Sequence, residues 1–381
     1  MKKPKEALRT WVEIEKKAIA HNYRVFRKLI GKKTKFLAVV KSNAYGHNIS
    51  EFAPEMEKLG ADWIGVDSLV EGLTARKAGV TLPILVLGYT LPSLYEEARG
   101  KGVSVTISNF HQLDEVLKLP KGNKPLKIHI KVDTGMHRQG FQLEESNKLL
   151  ATLSCQGVAL PFFVEGLYTH FAEAKNPRSG DNTRKQIERF KQWIDAFHKA
   201  GMFPICHAAA TGGTLLYPEG HFDMVRVGIG CYGLWPSREA ERFLSGKVQL
   251  KPVLSWKALV SEVKHVKSGE RVGYDFTELL MRDTMLAVIP VGYWHGLPRL
   301  NSSRGRVLIH GKTARIIGRV SMDMIVVDVT DIPKVKVGNE ATLIGKEKGE
   351  MITAGEIAQL AGTTHYEIVT RLNPLMQKIY C

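Results

Sequence analysis

Phe36-Leu37-Ala38-Val39-Val40-Lys41-Ser42-Asn43-Ala44-Tyr45-Gly46-His47-Asn48 is an apolar run that ends on a lysine and leads into a turn. The apolar part predicts a fully buried strand, and Gly46 and Asn48 indicate a turn into the next element. A lysine directly after such a strand is unfavourable unless an amine is needed there. Lysine forms Schiff bases with carbonyl groups, and its pKa falls readily on desolvation. A lysine that snorkels at a sheet edge is the alternative interpretation.

Short apolar runs alternate with helical patterns from Phe36 to Val227. Candidate strands begin near Phe36, Asp62, Pro83, Val103, Leu126, Phe162, Pro204 and Phe222. Helical patterns such as Ser68–Ala78 and Thr183–Ala200 lie between them. Strand–helix alternation of this length predicts an α/β fold, a parallel (β/α)8 barrel with an outer ring of helices. A doubly wound open sheet is the alternative.

The sequence pattern changes after about Ser245. Runs rich in Val and Ile recur between glycine turns, and helical patterns are scarce until Ala354–Leu360. This pattern predicts a mostly antiparallel β domain. We therefore expect a barrel domain over residues 11–245 and a C-terminal β-domain over residues 246–381. The first residues of the barrel segment are candidates for pairing with the C-terminal domain.

Composition restricts the class of protein. The formal net charge of the 381 residues is +16, so a nucleic-acid partner has to be considered. However, no zinc-finger, RRM-like or KH-like pattern is present. No apolar run reaches the length of a membrane span, and the basic N-terminus is not followed by the apolar stretch of a signal peptide. Cys155, Cys206, Cys231 and Cys381 have neither paired nor metal-ligand spacing. We expect a cytoplasmic protein without a metal, nucleic-acid or membrane partner.

Polar residues cluster where the predicted barrel strands end, which is where barrels of this type hold their active sites. They are Lys41, Tyr45, Lys131, Asp133, Arg138, Tyr168, His170, His207 and Arg226. Buried cations without partners oppose folding, so a structural role explains this set poorly.

A glycine motif follows the last predicted barrel strand: Gly228-Ile229-Gly230-Cys231-Tyr232-Gly233. It matches the G-x-G-x-x-G pattern of dinucleotide-binding folds, which also requires an acidic residue about twenty positions later. Val253 lies at that distance. A phosphate site fits better, because barrels bind phosphate at the loops after strands seven and eight.

The stretch Ala38–His47 closely resembles the pyridoxal-phosphate lysine motif of alanine racemases. The resemblance runs from about Trp11 to Pro374. Its further motifs are Lys131–Gly140, Glu165–Ala172, Val225–Gly233, Gly273–Asp275, Gly292–Arg299, Gly318–Asp323 and His365–Glu367.

This resemblance implies a cofactor, pyridoxal 5'-phosphate, held covalently by Lys41. It implies that the phosphate is bound by Tyr45, Thr211, Gly228, Ile229 and Tyr366, that His170 packs near the cofactor ring, and that His207 orients Arg226. Arg226 would face the pyridine nitrogen. A guanidinium has no acceptor atom, so it should leave that nitrogen unprotonated and limit transamination. The chain departs from the family at Ala210, where an asparagine is usual.

Racemisation needs a base on each face of a planar carbanion. The resemblance implies Lys41 for one face and Tyr274 for the other, with Tyr274 supplied by the second subunit of a homodimer. Since the unperturbed pKa of tyrosine is about 10, this base needs activation by its surroundings. Substrate binding is implied for Arg138, Met322, Asp323 and Tyr293. Lys131 matches a lysine that is often carbamylated, and that carbamate would hold Arg138 in place.

Trp294 and His295 stand where a small residue and an acid are usual, and Lys175 also replaces an acid. We expect these changes to make the approach to the site bulkier and more positive. The resemblance implies an enzyme that interconverts L-alanine and D-alanine for peptidoglycan. Racemisation of serine or of a basic amino acid is an alternative, and a non-catalytic carrier of the cofactor is another.

Overall fold

The computed structural model describes residues 8–154, 160–178 and 180–381. These residues form two compact units. The barrel unit comprises Lys17–Ala44 and Ile49–Pro252, and the β unit comprises the described residues up to Lys16 together with Tyr45–Asn48 and Val253–Cys381. The basic Met1–Lys5 and Cys155 lie outside the described residues. A domain boundary between residues 245 and 246 stays a prediction.

The chain begins with strand β1, Thr10–Ile14, and helix α1, Lys16–Ile30. The barrel strands follow as β2 Lys35–Val39, β3 Trp63–Val66, β4 Ile84–Val86, β5 Val103–Ile107, β6 Leu126–Lys131, β7 Phe162–Tyr168, β8 Ile205–Ala210 and β9 Met224–Val227. Within the described ranges these eight parallel strands close on themselves, because β9 pairs with both β8 and β2. The predicted (β/α)8 barrel is confirmed.

Helices connect the barrel strands. They are α2 Lys41–Tyr45, α3 Ile49–Leu59, α4 Leu69–Lys77, α5 Tyr95–Gly100, α6 Phe110–Leu117, α7 Ser146–Leu153, α8 Gly180–Lys199, α9 Thr211–Leu216 and α10 Arg238–Phe243. The caps are local: the Ser68 side chain accepts from the Glu71 amide and Asn109 accepts from the Gln112 amide, which satisfies amides that the helix itself leaves unpaired. Gly65 on β3 makes room for the core, since a Cβ there would lie 2.4 Å from Leu37 Cδ2.

The β unit is built on strands β10 Leu254–Leu259, β11 Glu262–Val266, β12 Arg271–Val272, β13 Glu278–Leu279, β14 Thr284–Ile289, β15 Arg306–Ile309, β16 Lys312–Ile317, β17 Ile325–Asp328, β18 Glu340–Glu347, β19 Glu350–Ile352 and β20 Gln377–Tyr380. Helices α11 Ala354–Leu360 and α12 His365–Thr370 precede the last strand. The main sheet runs β11-β14-β17-β16-β15-β18-β10-β1-β20, with β19 beside β18. Its pairs are antiparallel apart from β1 with β20. The predicted mostly antiparallel domain is confirmed.

Strand β1 lies between β10 and β20, the strand that follows the barrel and the last strand of the chain. Val12 is opposite Trp256 of β10 on one side and Lys378 of β20 on the other. Burial of Trp11, Val12 and Ile14 anchors β1 in this sheet. Among the described residues, no helix has the length and apolar character needed to span a membrane.

Candidate active site

Lys41 follows Val40 immediately beyond the end of β2, and its ammonium Nζ lies 3.3 Å from Asp67 Oδ1 at the end of β3. The next four residues are left-handed: Ser42, Asn43, Ala44 and Tyr45 have φ angles between 51° and 54°. This conformation costs L-residues roughly 1–2 kcal/mol each. Strain of this kind concentrates at functional sites, because the surroundings must enforce it.

Side chains around Asn43 enforce the left-handed turn. The Asn43 amide donates to Glu71 Oε1 at 3.0 Å, and the Asn43 side-chain oxygen accepts from the Ile49 amide at 2.9 Å. Glu71 also accepts from the Asp67 amide at 2.9 Å. The same glutamate therefore ties the turn after Lys41 to the loop that carries Asp67.

Arg226 on β9 is a buried cation with several hydrogen-bond partners. It is 3% exposed, and its guanidinium donates to His207 Nδ1 at 2.8 Å, to Thr169 O at 2.7 Å and to Ala208 O at 2.8 Å. His170 Nδ1 lies 3.1 Å from the same guanidinium. Burial lowers the pKa of Arg226 to about 10, so the group stays charged at neutral pH. Its donors are therefore fixed in direction.

Both histidines that contact Arg226 are neutral. Burial, followed by the charge of Arg226, holds the pKa of His207 and of His170 well below the usual value. Arg138, Lys131 and Lys41 lower the pKa of His170 further. Six predicted site residues therefore lie within electrostatic reach of one another: Lys41, Lys131, Arg138, His170, His207 and Arg226.

Lys131 ends β6 and is 6% exposed. Its ammonium donates to Gln139 Oε1 at 2.8 Å. Burial, and then the charges of Arg138, Arg226 and Lys41, lower the pKa of Lys131 to about 8. An excess of positive charge at this end of the barrel is a site for an anion.

Thr211, at the start of α9, is the centre of a small cradle. Its Oγ1 accepts from the amides of Gly228 at 3.1 Å and Gly230 at 3.3 Å, which leaves the hydroxyl proton to donate elsewhere. A side chain at Gly230 is excluded, since its Cβ would lie 2.4 Å from Phe26 Cζ and 2.9 Å from Thr211 Cγ2. Ala210, the departure noted in the sequence, gives α9 no side-chain cap. The Thr211 hydroxyl can therefore donate to an oxyanion such as a phosphate.

The β unit brings Tyr45 and Tyr366 together. Their ring centroids are 6.3 Å apart. Burial, with a smaller contribution from Tyr45, raises the pKa of Tyr366 well above its usual value, so the Tyr366 hydroxyl keeps its proton and is a donor at neutral pH. Gly46 permits this arrangement, because a Cβ there would lie 2.0 Å from Val369 O.

Backbone hydrogen bonds join the loop that carries Tyr293 to the loop that carries Met322. The Tyr293 amide donates to Ser321 O and the Trp294 amide donates to Met322 O, both at 3.0 Å. A Cβ on Gly292 would lie 2.2 Å from Ser321 O. The side chains of Tyr293 and Met322 are exposed, and Asp323 follows in the same loop.

Tyr274 lies in the loop between β12 and β13, where its side chain is 69% exposed. Gly273 before it and Asp275 after it have φ angles of 81° and 59°. Val272 and Leu280 anchor the hairpin in a buried cluster with Leu286 and Ile317. The hairpin thus presents Tyr274 outward from a fixed base.

His295, which stands where an acid is usual, is buried and contacts the backbone. His295 is 4% exposed, and its Nδ1 accepts from the Gly292 amide at 3.1 Å. Burial, and then Arg9, lower its pKa below the usual value. The imidazole is therefore a neutral backbone acceptor, whereas Trp294 beside it is 56% exposed.

Sequence reasoning missed Asp67, Gln139 and Thr169, each of which contacts a predicted site residue. Asp67 could have been found, because it comes directly after the strand that pairs with β2. Gln139 and Thr169 carry no such signal. Among the described residues, no group of three or more His, Cys, Asp or Glu side chains could hold a metal ion.

Two family models match the chain. They are "Alanine racemase, N-terminal domain" over residues 14–236 and "Alanine racemase, C-terminal domain" over residues 253–380. The chain is 39% identical over 377 residues to the alanine racemase of Symbiobacterium thermophilum, covering 97% of each. It is 37% identical over 372 residues to that of Desulforamulus reducens, covering 97% of this chain and 98% of the relative.

Solved structures agree with the sequence relatives. Alanine racemase from Bacillus anthracis with bound L-Ala-P superimposes with a TM-score of 0.91 at 34% identity, with coverage of 98% of this chain and 95% of that one. The alanine racemase from the D-cycloserine producer Streptomyces lavendulae gives a TM-score of 0.90 at 33% identity, with coverage of 100% and 98%. With both halves matched by family models and near-complete coverage of its relatives, the chain belongs to the alanine racemase family.

Proposed function

We propose that this chain interconverts L-alanine and D-alanine with pyridoxal 5'-phosphate as cofactor. The observation that carries the proposal is the buried Arg226, held by His207, Thr169 and Ala208 beside Lys41, Lys131 and Arg138. The positive end of the barrel suits a substrate carboxylate and a cofactor phosphate.

The residues present fit this cofactor. Thr211 has a hydroxyl proton to donate beside the Gly228 amide, and Lys41 offers a primary amine next to Asp67. We propose that Lys41 holds the cofactor covalently, that Thr211, Gly228, Ile229, Tyr45 and Tyr366 bind its phosphate, and that His170 packs near its ring. When bound, pyridoxal phosphate withdraws electrons from an attached amino acid and so acidifies its α-hydrogen.

Arg226 suits the position that faces the ring nitrogen of the cofactor. The group at that position controls how strongly the cofactor withdraws electrons. A carboxylate facing the ring nitrogen would keep a proton on it, whereas a guanidinium offers donors alone. We propose that Arg226 keeps that nitrogen unprotonated. With the cofactor bound, Arg226 in this role would favour return of a proton to Cα over transamination.

Proton exchange at Cα needs two bases on opposite faces. We propose that the amine of Lys41 exchanges the α-proton of D-alanine and that the phenol of Tyr274 exchanges that of L-alanine. Arg138 and the Met322 amide bind the substrate carboxylate in this proposal, with Asp323 and Tyr293 nearby. The charge on Arg138 neutralises that carboxylate.

We propose that Tyr274 acts at the barrel of a second copy of the chain. The hairpin residues Tyr274 and Phe276 are 69% and 65% exposed, and Met322 is 55% exposed. Large exposed apolar side chains in neighbouring loops are typical of an interaction surface. A homodimer would therefore bury this surface and complete two active sites.

We also propose that the product D-alanine supplies peptidoglycan synthesis in the cytoplasm. The family resemblance supports the peptidoglycan role. Cys206, Cys231 and Cys381 are free, as suits a reducing compartment.

The test is racemisation in deuterated water. Protein loaded with pyridoxal phosphate is given L-alanine, L-serine or L-lysine, and chirality and α-deuterium are followed together. We expect alanine alone to lose optical activity and gain deuterium. Racemisation of serine or lysine alone would move the proposal to another substrate, and no exchange with any of the three would contradict it.

A further inference from the structure

A line of buried polar side chains crosses the barrel interior and ends at Arg226. Its members are Glu165 on β7, His129 on β6, His207 on β8 and Arg226 on β9. His129 Nδ1 lies 2.9 Å from His207 Nε2, and His207 Nδ1 lies 2.8 Å from the Arg226 guanidinium. His129 Nε2 lies 3.5 Å from Glu165 Oε2, close enough for an electrostatic contact, and has no hydrogen-bond partner among the described residues. Both histidines are fully buried, and the two end groups are less than one tenth exposed.

The chemistry of the members fixes the direction of every contact in this line. Arg226 has no acceptor, so with the guanidinium 2.8 Å away His207 Nδ1 accepts, and the proton of neutral His207 is on Nε2. That proton is donated to His129 Nδ1. The proton of neutral His129 is then on Nε2 and faces the carboxylate. All donors therefore point away from Arg226 and toward Glu165.

Glu165 is the anionic end of the line. Ser104 Oγ donates to its Oε2 at 2.5 Å, and Lys127 Nζ donates to its Oε1 at 2.6 Å. Burial alone would raise the pKa of Glu165, but His129, Lys127 and Ser104 together lower it to about 2. Lys127, His129 and Lys131 occupy every second position of β6, so their side chains lie on the same face of that strand. The line thus joins a carboxylate to the cation cluster by way of two imidazoles.

Packing holds the two rings in place. A Cβ on Gly166 would lie 2.1 Å from His129 Nδ1, so only glycine at that position leaves room for the His129 ring. Trp63 packs edge-on against His129 with centroids 5.4 Å apart, and Tyr168 stacks on His207 at 4.8 Å. These contacts oppose a flip of either imidazole ring, which would change the atoms that Nδ1 and Nε2 face.

We propose that Glu165 and His129 are positioning residues for Arg226: the carboxylate fixes the tautomers of His129 and His207, so that His207 always presents an acceptor to the guanidinium. This inference rests on the proposed function, in which Arg226 faces the cofactor. If the line reversed, His207 would present an N–H to a group that can only donate. Arg226 would then have to move.

Glu165→Gln tests the proposal, because Lys127 should keep the amide oxygen at the Oε1 position. The amide NH2 then takes the Oε2 position and donates to His129 Nε2. We expect the tautomers of His129 and His207 to change from Nε2–H to Nδ1–H. We also expect kcat for alanine to fall about tenfold or more, with KM changed less than about twofold.

The measurement is long-range 1H–15N NMR on the full-length protein labelled with 15N-histidine, with signals assigned from His129→Gln and His207→Gln. Ser104→Ala is the matched control, since it removes a neutral donor from the same carboxylate oxygen. We expect it to leave both tautomers and kcat unchanged. Gly166→Ala breaks the line at His129 without removing a charge, and it should lower kcat as Glu165→Gln does.

Two results would overturn the inference. One is an Nδ1–H tautomer at His207 in the wild-type protein, which needs no variant to fold. The other is a folded Glu165→Gln protein with unchanged tautomers and unchanged kcat. Failure of the wild-type protein to racemise any amino acid would instead contradict the proposed function, while the wild-type tautomers would still decide the direction of the line.

Discussion

At the scale of single residues, Lys131 and Arg226 show two ways of burying a cation. Arg226 spreads its donors over an imidazole and two carbonyl oxygens, whereas Lys131 donates to the neutral amide of Gln139. Burial and three neighbouring cations lower the pKa of Lys131 to about 8. A larger fraction of Lys131 is therefore uncharged near neutral pH. The uncharged amine is the form that attacks carbon dioxide. This chemistry agrees with the carbamate that the family resemblance implies.

The lowered pKa of Lys131 predicts that Lys131→Met raises the free energy of unfolding by an amount that depends on pH. Because the pKa is below its unfolded value of 10.5, burial of charged Lys131 destabilises the fold fully below pH 8 and not at all above pH 10.5. At about 1.4 kcal/mol per pKa unit, this amounts to at most about 3 kcal/mol. We expect Lys131→Met to raise the free energy of unfolding at pH 7 more than at pH 10.

The measurement is urea unfolding in buffer free of carbon dioxide, so that the amine is not modified. Lys58→Met is the control, because Lys58 is an exposed lysine on α3. It should change stability little at either pH. If Lys131→Met raised the free energy of unfolding equally at pH 7 and pH 10, burial of a charged Lys131 would not be the cause.

At the scale of elements, the cradle at the start of α9 depends on Gly230. A Cβ there would lie within 2.5 Å of Phe26 Cε2, and neither Phe26 nor Thr211 is free to move in a buried site. We expect Gly230→Ala to lower the free energy of unfolding by about 1–3 kcal/mol through overpacking. Displacement of Thr211 should also weaken binding of pyridoxal phosphate, measured by fluorescence titration.

Gly100→Ala is the matched control for Gly230→Ala. Gly100 lies in helix α5, and a Cβ there meets nothing within 4 Å. Since alanine favours a helix over glycine, stability should stay unchanged or rise by up to about 1 kcal/mol. A Gly230→Ala protein as stable as wild type, with unchanged cofactor affinity, would show that the cradle tolerates a side chain.

The sequence predicts most elements because their periodicity is local. Helix Ala354–Leu360 matches the predicted bounds, and α8 begins within a few residues of the predicted Thr183. The left-handed turn after Lys41 could not be predicted, since Ser42 and Ala44 have no intrinsic preference for positive φ and Glu71 enforces the turn from a distance. The resemblance implied the contact of His207 with Arg226, but the continuation of the line to His129 and Glu165 was missed, because its members come from different strands.

At the scale of the whole molecule, the proposed shared sites predict complementation between two inactive variants. In a heterodimer of Lys41→Ala with Tyr274→Phe, one site lacks both bases and the other has both. We expect purified heterodimers, isolated with two different tags, to recover about half of the wild-type kcat per dimer. Either variant as a homodimer should be nearly inactive.

A heterodimer that is as inactive as its parents would contradict shared sites, because each site would then draw both bases from one chain. Analytical ultracentrifugation of the same samples checks that dimers are present. Tagged heterodimers of two Lys41→Ala chains serve as the control for activity introduced by tagging. They should show none.

Strand β1 sits between β10 and β20, so the earliest strand of the described chain is paired with the last one. During translation, Trp11 and Val12 must therefore wait for almost the entire chain to leave the ribosome before both of their neighbours exist. Both edges of this strand are open until β10 has been made, and the edge that pairs with β20 stays open until the end; open edges are surfaces on which aggregation begins. Release of the finished chain, rather than synthesis of the barrel, is thus the event that completes the central part of this sheet.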